Sequence, residues 1–104
     1  MKIYVYALTH DKTDIREEEL EVLDRPRTFV SYFRSNLSFT STFRKQDEGK
    51  LIGHSEVVFF TKPNKSEAVR VIKEKYVQLA EKVEEEMKDL RSLISGLEKL
   101  ELAN

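Results

Sequence analysis

The sequence predicts an α+β protein: an antiparallel β-sheet of four or five strands followed by one long C-terminal helix. Three observations carry that expectation. From Asn64 to about Ala103 the chain has no proline and a single glycine, Gly96, while apolar residues recur in steps of three and four at Val69, Ile72, Tyr76, Leu79, Val83, Leu90, Leu93, Leu97 and Leu100. That is the a/d seam of a heptad repeat and specifies helix. The preceding sixty-odd residues place β-branched and aromatic side chains in short runs separated by turn residues, as strands require. No repeat, low-complexity tract or linker divides the 104 residues. One domain is therefore expected, with a β-meander over 1–62 and the helix over 64–102.

The strands follow in order. Lys2 to Thr9 is apolar on both faces and reads as a central, well-covered strand. His10-Asp11-Lys12-Thr13-Asp14 is turn chemistry. Ile15 to Leu23 is ambiguous, because Asp14 with Glu17 could open a short helix by a capping box. The alternation of Leu20 and Val22 with Glu19 and Glu21 favours a strand over about 18–23 with one wet face. Pro26 interrupts the ladder at an edge or a bend. Arg27 to Phe33 is a third strand, and Leu37 to Phe43 a fourth, with Leu37, Phe39 and Phe43 on one side and Ser38, Thr40 and Thr42 on the other. After a turn at Asp47-Glu48-Gly49, Leu51 to Thr61 holds a last strand centred on Val57–Phe60, whose apolar run predicts burial on both faces. Lys62-Pro63-Asn64 ends it, and Asn64 with Glu67 marks the helix start.

At about 1.5 Å per residue the helix would be roughly 55 Å long, whereas a 100-residue domain has a radius of gyration of only about 13 Å. The rest of the chain cannot cover such a seam. Its first half, Glu67 to about Ala80, is expected to roof the sheet. Its second half, through Val83, Met87, Leu90, Leu93, Leu97 and Leu100, is expected to bind another copy of the chain. Glu86 interrupts the seam at a d position, and Ala80, Met87 and Ile94 widen the apolar stripe. The alternative is a helix that bends back near Ser92–Gly96 onto its own sheet.

Composition removes several function classes. The net charge is −1, so no global field draws the protein to nucleic acid or an anionic membrane. Cysteine is absent, which excludes disulfides, thiol nucleophiles and Cys-based zinc sites. No segment approaches the roughly 20 apolar residues of a membrane span, and Ile3 to Leu8 lacks the length and cleavage site of a signal peptide. A soluble intracellular protein is expected.

The candidate ligand-binding stretch is Arg25 to Lys45. Arg25, Arg27, Arg34, Arg44 and Lys45 stand there against one acid, Asp24, a local balance of +4. Arginine forks bind phosphate in a bidentate manner, and hydroxyls and aromatic faces complete nucleotide recognition. Arg25, Arg27, Thr28, Tyr32, Arg34, Arg44 and Lys45 are therefore the residues expected to hold a small anionic, nucleotide-type ligand. The competing reading of the interleaved aromatics Phe29, Tyr32, Phe33, Phe39 and Phe43 is simply core. Other constellations read as structure. His10, Asp11 and Asp14 could ligate a metal but are better explained as a solvated turn, and His54 reads as a surface histidine at a strand end. Glu84, Glu85 and Glu86 read as a solvated helical face rather than a catalytic carboxylate pair. Glu48-Gly49-Lys50 lacks the earlier glycine and following Ser/Thr of a phosphate loop. No catalytic residue, metal site or cofactor is predicted, and the expected function is non-enzymatic.

The segment Leu20-Glu21-Val22-Leu23-Asp24-Arg25-Pro26-Arg27-Thr28-Phe29, the later Lys45-Gln46-Asp47-Glu48-Gly49-Lys50-Leu51 and the long helix after them resemble small proteins of phages and prophages of Gram-positive bacteria. In these a short β-meander with a basic Pro-Lys/Arg-Thr-aromatic segment precedes a long C-terminal helix. The resemblance implies a non-catalytic counter-defence factor in the cytoplasm of a host bacterium. Such a factor would be an oligomeric sponge for a nucleotide-derived messenger. The alternative is an inhibitor or adaptor that docks a host defence protein through its long helix.

Overall fold

The structure, a computed structural model, describes residues 1–52 and 56–102. Its order is β1 (Lys2–Leu8), β2 (Ile15–Asp24), β3 (Thr28–Ser31), β4 (Thr42–Arg44), a 3-10 turn at Lys45–Asp47, β5 (Val58–Phe60) and α1 (Lys65–Leu102). The strands form one five-stranded antiparallel sheet in the order β4-β3-β2-β1-β5. This is the expected α+β arrangement. The chain divides into two compact units, Met1–Lys73 and Glu74–Asn104.

Within the first unit the registers sort the side chains onto two faces. Ile3 lies opposite Leu20, Val5 opposite Phe59 and Phe29 opposite Phe43, and these join Ala7, Val22 and Val57 in one core. Phe59 is its centre, meeting the Phe43 ring edge-on at 5.3 Å and the Phe29 ring at 6.2 Å. Leu37 and Ile52, from the segments after β3 and β4, pack against this face. On the other face Tyr6 lies opposite Val58 and Tyr4 opposite Phe60. Tyr6, Val58 and Phe60 are buried, as the unbroken apolar run of Val57–Phe60 requires.

Tyr6 also ties the helix start to the sheet. Its hydroxyl donates to Glu17 Oε1 at 2.5 Å and accepts from the Asn64 amide at 2.8 Å. Asn64 Oδ1 in turn accepts the Glu67 amide at 3.3 Å, the N-cap read from the sequence. Lys65 Nζ reaches Asp14 at 3.3 Å. Only Ala68 and Ile72 of α1 are buried, so the part of the helix with a buried face is shorter than the expected Glu67–Ala80.

Two expectations change. First, β2 begins at Ile15 rather than about residue 18, because all seven residues of β1 find a rung on it; Asp14 caps the Ile15 amide at 2.7 Å but opens no helix. Second, Leu37 to Phe43 is not a strand. Only Thr42–Arg44 pairs with β3, while 36–39 turn, with Phe39 at φ +58°. The long helix is as expected, and the alternative of a break near Ser92–Gly96 does not occur, since α1 is helical without interruption there. His54 lies outside the described residues.

The turn at 36–39 wins over the strand because Glu18 organises it. Glu18 stands opposite Val5, on the core side of β2. Its carboxylate accepts the Ser35 hydroxyl at 2.5 Å and the amides of Asn36 at 2.9 Å and Leu37 at 3.4 Å. Ser35 Oγ then accepts the Ser38 amide at 3.1 Å. Glu18→Ala should cost about 2–3 kcal/mol, since it leaves several inward donors without an acceptor. Glu19→Ala, which breaks only the exposed ion pair with Lys2, should stay within about 0.5 kcal/mol. Urea unfolding of the two variants measures the difference.

Candidate functional site

The β2–β3 hairpin turns at Pro26 and Arg27, where the Arg25 amide donates to the Thr28 carbonyl at 2.9 Å. Proline suits this tip, because its fixed φ is that of a turn and its missing N–H is not needed there. β3 then carries Thr28 directly opposite Arg44 of β4, and the Lys45 amide donates to the Arg27 carbonyl at 3.0 Å. One end of the sheet thus gathers Pro26, Arg27, Thr28, Arg44, Lys45 and Gln46 around an open groove of about 650 Å³.

The groove carries a net positive charge. Lys45 Nζ is paired with Asp24 and sits 5.0 Å over the Phe29 ring. That anchor fixes the ammonium at the rim and leaves the charge of Asp24 neutralised. Arg27 and Arg44 are exposed and form no ion pair with any described residue. With three cations and one carboxylate, the local balance is +2. Thr28 follows Arg27 in sequence and stands opposite Arg44 in register. Strand and turn backbone hold all of these groups, so an oxyanion would meet them without reordering the main chain.

Of the seven expected ligand-binding residues, Arg27, Thr28, Arg44 and Lys45 line this groove. Arg25 stands at the turn but not in the lining. Tyr32 and Arg34 lie past the other end of β3, about 13 Å along the strand from Thr28. There Arg34 Nε donates to the Phe39 carbonyl at 2.7 Å and its guanidinium rests 6.0 Å from the Phe39 ring centre. The aromatics divide in the same way. Phe29 and Phe43 are core, whereas Tyr32, Phe33 and Phe39 are exposed, at 81% for Phe33. None of those exposed rings lines the groove. Gln46 was not singled out in the sequence; its residue type carries no signal, and only the turn at Lys45–Asp47 brings it to the rim.

The other candidates are structural. Asp11 Oδ1 accepts the Thr9 hydroxyl at 2.6 Å, the Thr13 hydroxyl at 2.7 Å and the Thr13 amide at 3.2 Å. These bonds, that from Thr9 first, hold its carboxyl below the usual aspartate range. Asp14 is likewise lowered, by the Ile15 amide and then by Lys65. Among the described residues no three His, Asp or Glu side chains converge as a metal site.

The second unit carries the expected self-association residues. Val83, Met87, Leu90, Leu93, Leu97 and Leu100 are between 46% and 65% exposed. No helix among the described residues is long and apolar enough to cross a membrane. The chain matches no family model, no curated protein and no solved structure.

Proposed function

We propose that this protein is a non-enzymatic, self-associating binding protein whose groove at the β2–β3 turn holds a small anionic ligand of nucleotide type. The observation that carries the reading is the convergence of Arg27, Thr28, Arg44 and Lys45 on one groove, with both arginine forks uncommitted to any described carboxylate. Sequestration of a ligand asks for stoichiometric enclosure, not for a general base. The reading assigns no catalytic residue and no cofactor. The resemblance of Leu20–Phe29 and Lys45–Leu51 to phage and prophage proteins suggests the setting, counter-defence within a host bacterium.

A thermal-shift screen against inorganic phosphate, cyclic nucleotides and ADP-ribose-type nucleotides tests the site. A ligand at a hundred times its Kd should stabilise the protein by about 2.7 kcal/mol. The double variant Arg27→Ala/Arg44→Ala should lose that shift while its ligand-free stability changes by no more than about 0.5 kcal/mol, as expected for exposed side chains. If no nucleotide moves the melting temperature, the sponge reading fails. A shift that survives in the double variant removes the ligand from this groove.

A second reading has its own observation. The exposed apolar face of Val83–Leu100 is also the form in which a helix docks into the groove of another protein. An adaptor of that kind would be monomeric alone and would need a host protein to cover the seam.

A further inference from the structure

We infer that the groove takes its ligand by a diphosphate group and leaves the nucleobase unread. The inference rests on the anion site proposed above and names the part of the nucleotide that this site recognises.

The side chains of the rim suit phosphoryl oxygen. Arg27 and Arg44 bring guanidinium forks, Lys45 an ammonium, Thr28 a hydroxyl and Gln46 a carboxamide. The side chains of Arg27, Thr28, Arg44 and Gln46 bond to no other described residue. Their backbone supports are fixed, with Thr28 opposite Arg44 and the Lys45 amide bonded to the Arg27 carbonyl at 3.0 Å. The main chains of the two arginines are therefore roughly 6 Å apart. Both long side chains can reach one ligand group.

The forks set the number of phosphoryl groups. A guanidinium pairs with phosphate through two parallel N–H···O bonds. Two forks ask for two pairs of oxygens, and a phosphomonoester has only three free ones. A diphosphate offers a pair from each phosphorus, one phosphoryl group per fork. Lys45, held by Asp24 and the Phe29 ring, adds a point charge with no planar preference of its own.

The rings that could read a base are placed elsewhere. The chain has four tyrosines and six phenylalanines, and none of them lines the groove. Phe29 and Phe43, on the strands that build it, are buried in the core, and the Lys45 ammonium sits over Phe29. Tyr32, Phe33 and Phe39 stand past the other end of β3. A base stacked on either guanidinium would draw that fork away from the phosphoryl oxygens, where it makes its strongest bonds. A carboxylate commonly holds the ribose hydroxyls in nucleotide sites, but the acid beside this groove, Asp24, is taken by Lys45. Sugar and base therefore extend from the open side into water.

Isothermal titration of the full chain with pyrophosphate, ADP, GDP, AMP and adenosine tests the inference. ADP and GDP should bind within about threefold of each other, and pyrophosphate should compete with both. AMP should bind at least about tenfold more weakly than ADP, the worth of one charge-assisted pairing. Adenosine should give no binding heat. The variant Arg27→Lys/Arg44→Lys keeps the charge and removes the forks, so its preference for ADP over AMP should fall to about threefold or less. Adenosine binding, or a larger gap between ADP and GDP, shows that the base is read and overturns the inference while the site stands. A smaller gap between ADP and AMP overturns the diphosphate, and a preference undiminished in the lysine variant removes it from these forks. No binding by any of the five sinks the anion site itself.

Discussion

Truncating Phe59 to alanine should lower the stability of the sheet unit by about 3–5 kcal/mol, a large part of the 5–15 kcal/mol that a small domain has. The ring is fully buried and edge-on to both Phe29 and Phe43, so its removal costs its own transfer free energy together with aromatic contacts from β3 and β4. The cavity cannot collapse easily, because β5 is held to β1 by its rungs and the Gly49 amide donates to the Phe59 carbonyl at 3.0 Å. Phe39 is the matched control: it is 65% exposed and has a left-handed backbone. Phe39→Gly should leave stability unchanged or raise it by up to about 1 kcal/mol, since glycine adopts that conformation without strain. Denaturant unfolding of the two variants reads the contrast, and equal losses would mean that Phe59 is not the centre of the core.

Alkaline titration should expose the second large effect, at Tyr6. Burial first, and then its bond to Glu17, push its phenol from 10.0 up to about 12. A folded-state value above the unfolded one means that the neutral phenol stabilises the fold. The contribution is complete below pH 10 and is lost as the pH rises from 10 to 12. Two pH units correspond to about 3 kcal/mol at most. Tyr6→Phe should cost about 1–3 kcal/mol near neutrality, because the Asn64 amide and the Glu17 carboxylate both lose their partner. Above pH 10 the gap between the two proteins should narrow, since phenylalanine has no proton to lose. Stability curves that stay parallel from pH 8 to 12 would show that the Tyr6 proton does not couple the helix start to the sheet.

The sequence was most informative where a single period governed a long stretch. α1 spans 38 residues and every seam position of it was legible, as was its start, because an N-cap is a local bond between Asn64 and Glu67. The central β1 and the fully buried Val57–Phe60 could likewise be read from apolar runs that have only one stable placement. The segment 32–41 could not. Leu37, Phe39 and Phe43 have the alternation of a strand, but the backbone there follows Glu18, a residue nearly twenty positions earlier whose carboxylate outcompetes the ladder for three donors. No local pattern contains that information.

The candidate site divides along the same line. Charge and residue type in Arg25–Lys45 were enough to nominate an anion-binding stretch. Which members act together depends on the rung between Thr28 and Arg44, which gathers four of them at one end of β3 and sends Tyr32 and Arg34 past the other. By itself the sequence determined the α+β class, the long C-terminal helix and its apolar seam, because each follows from periodicity and composition along one segment; that the helix runs unbroken through Ser92–Gly96 was seen only in the structure. The register of β3 and β4, the Glu18 clasp and the groove they create were decided only by tertiary structure, because those depend on hydrogen bonds between residues that the chain must first bring together.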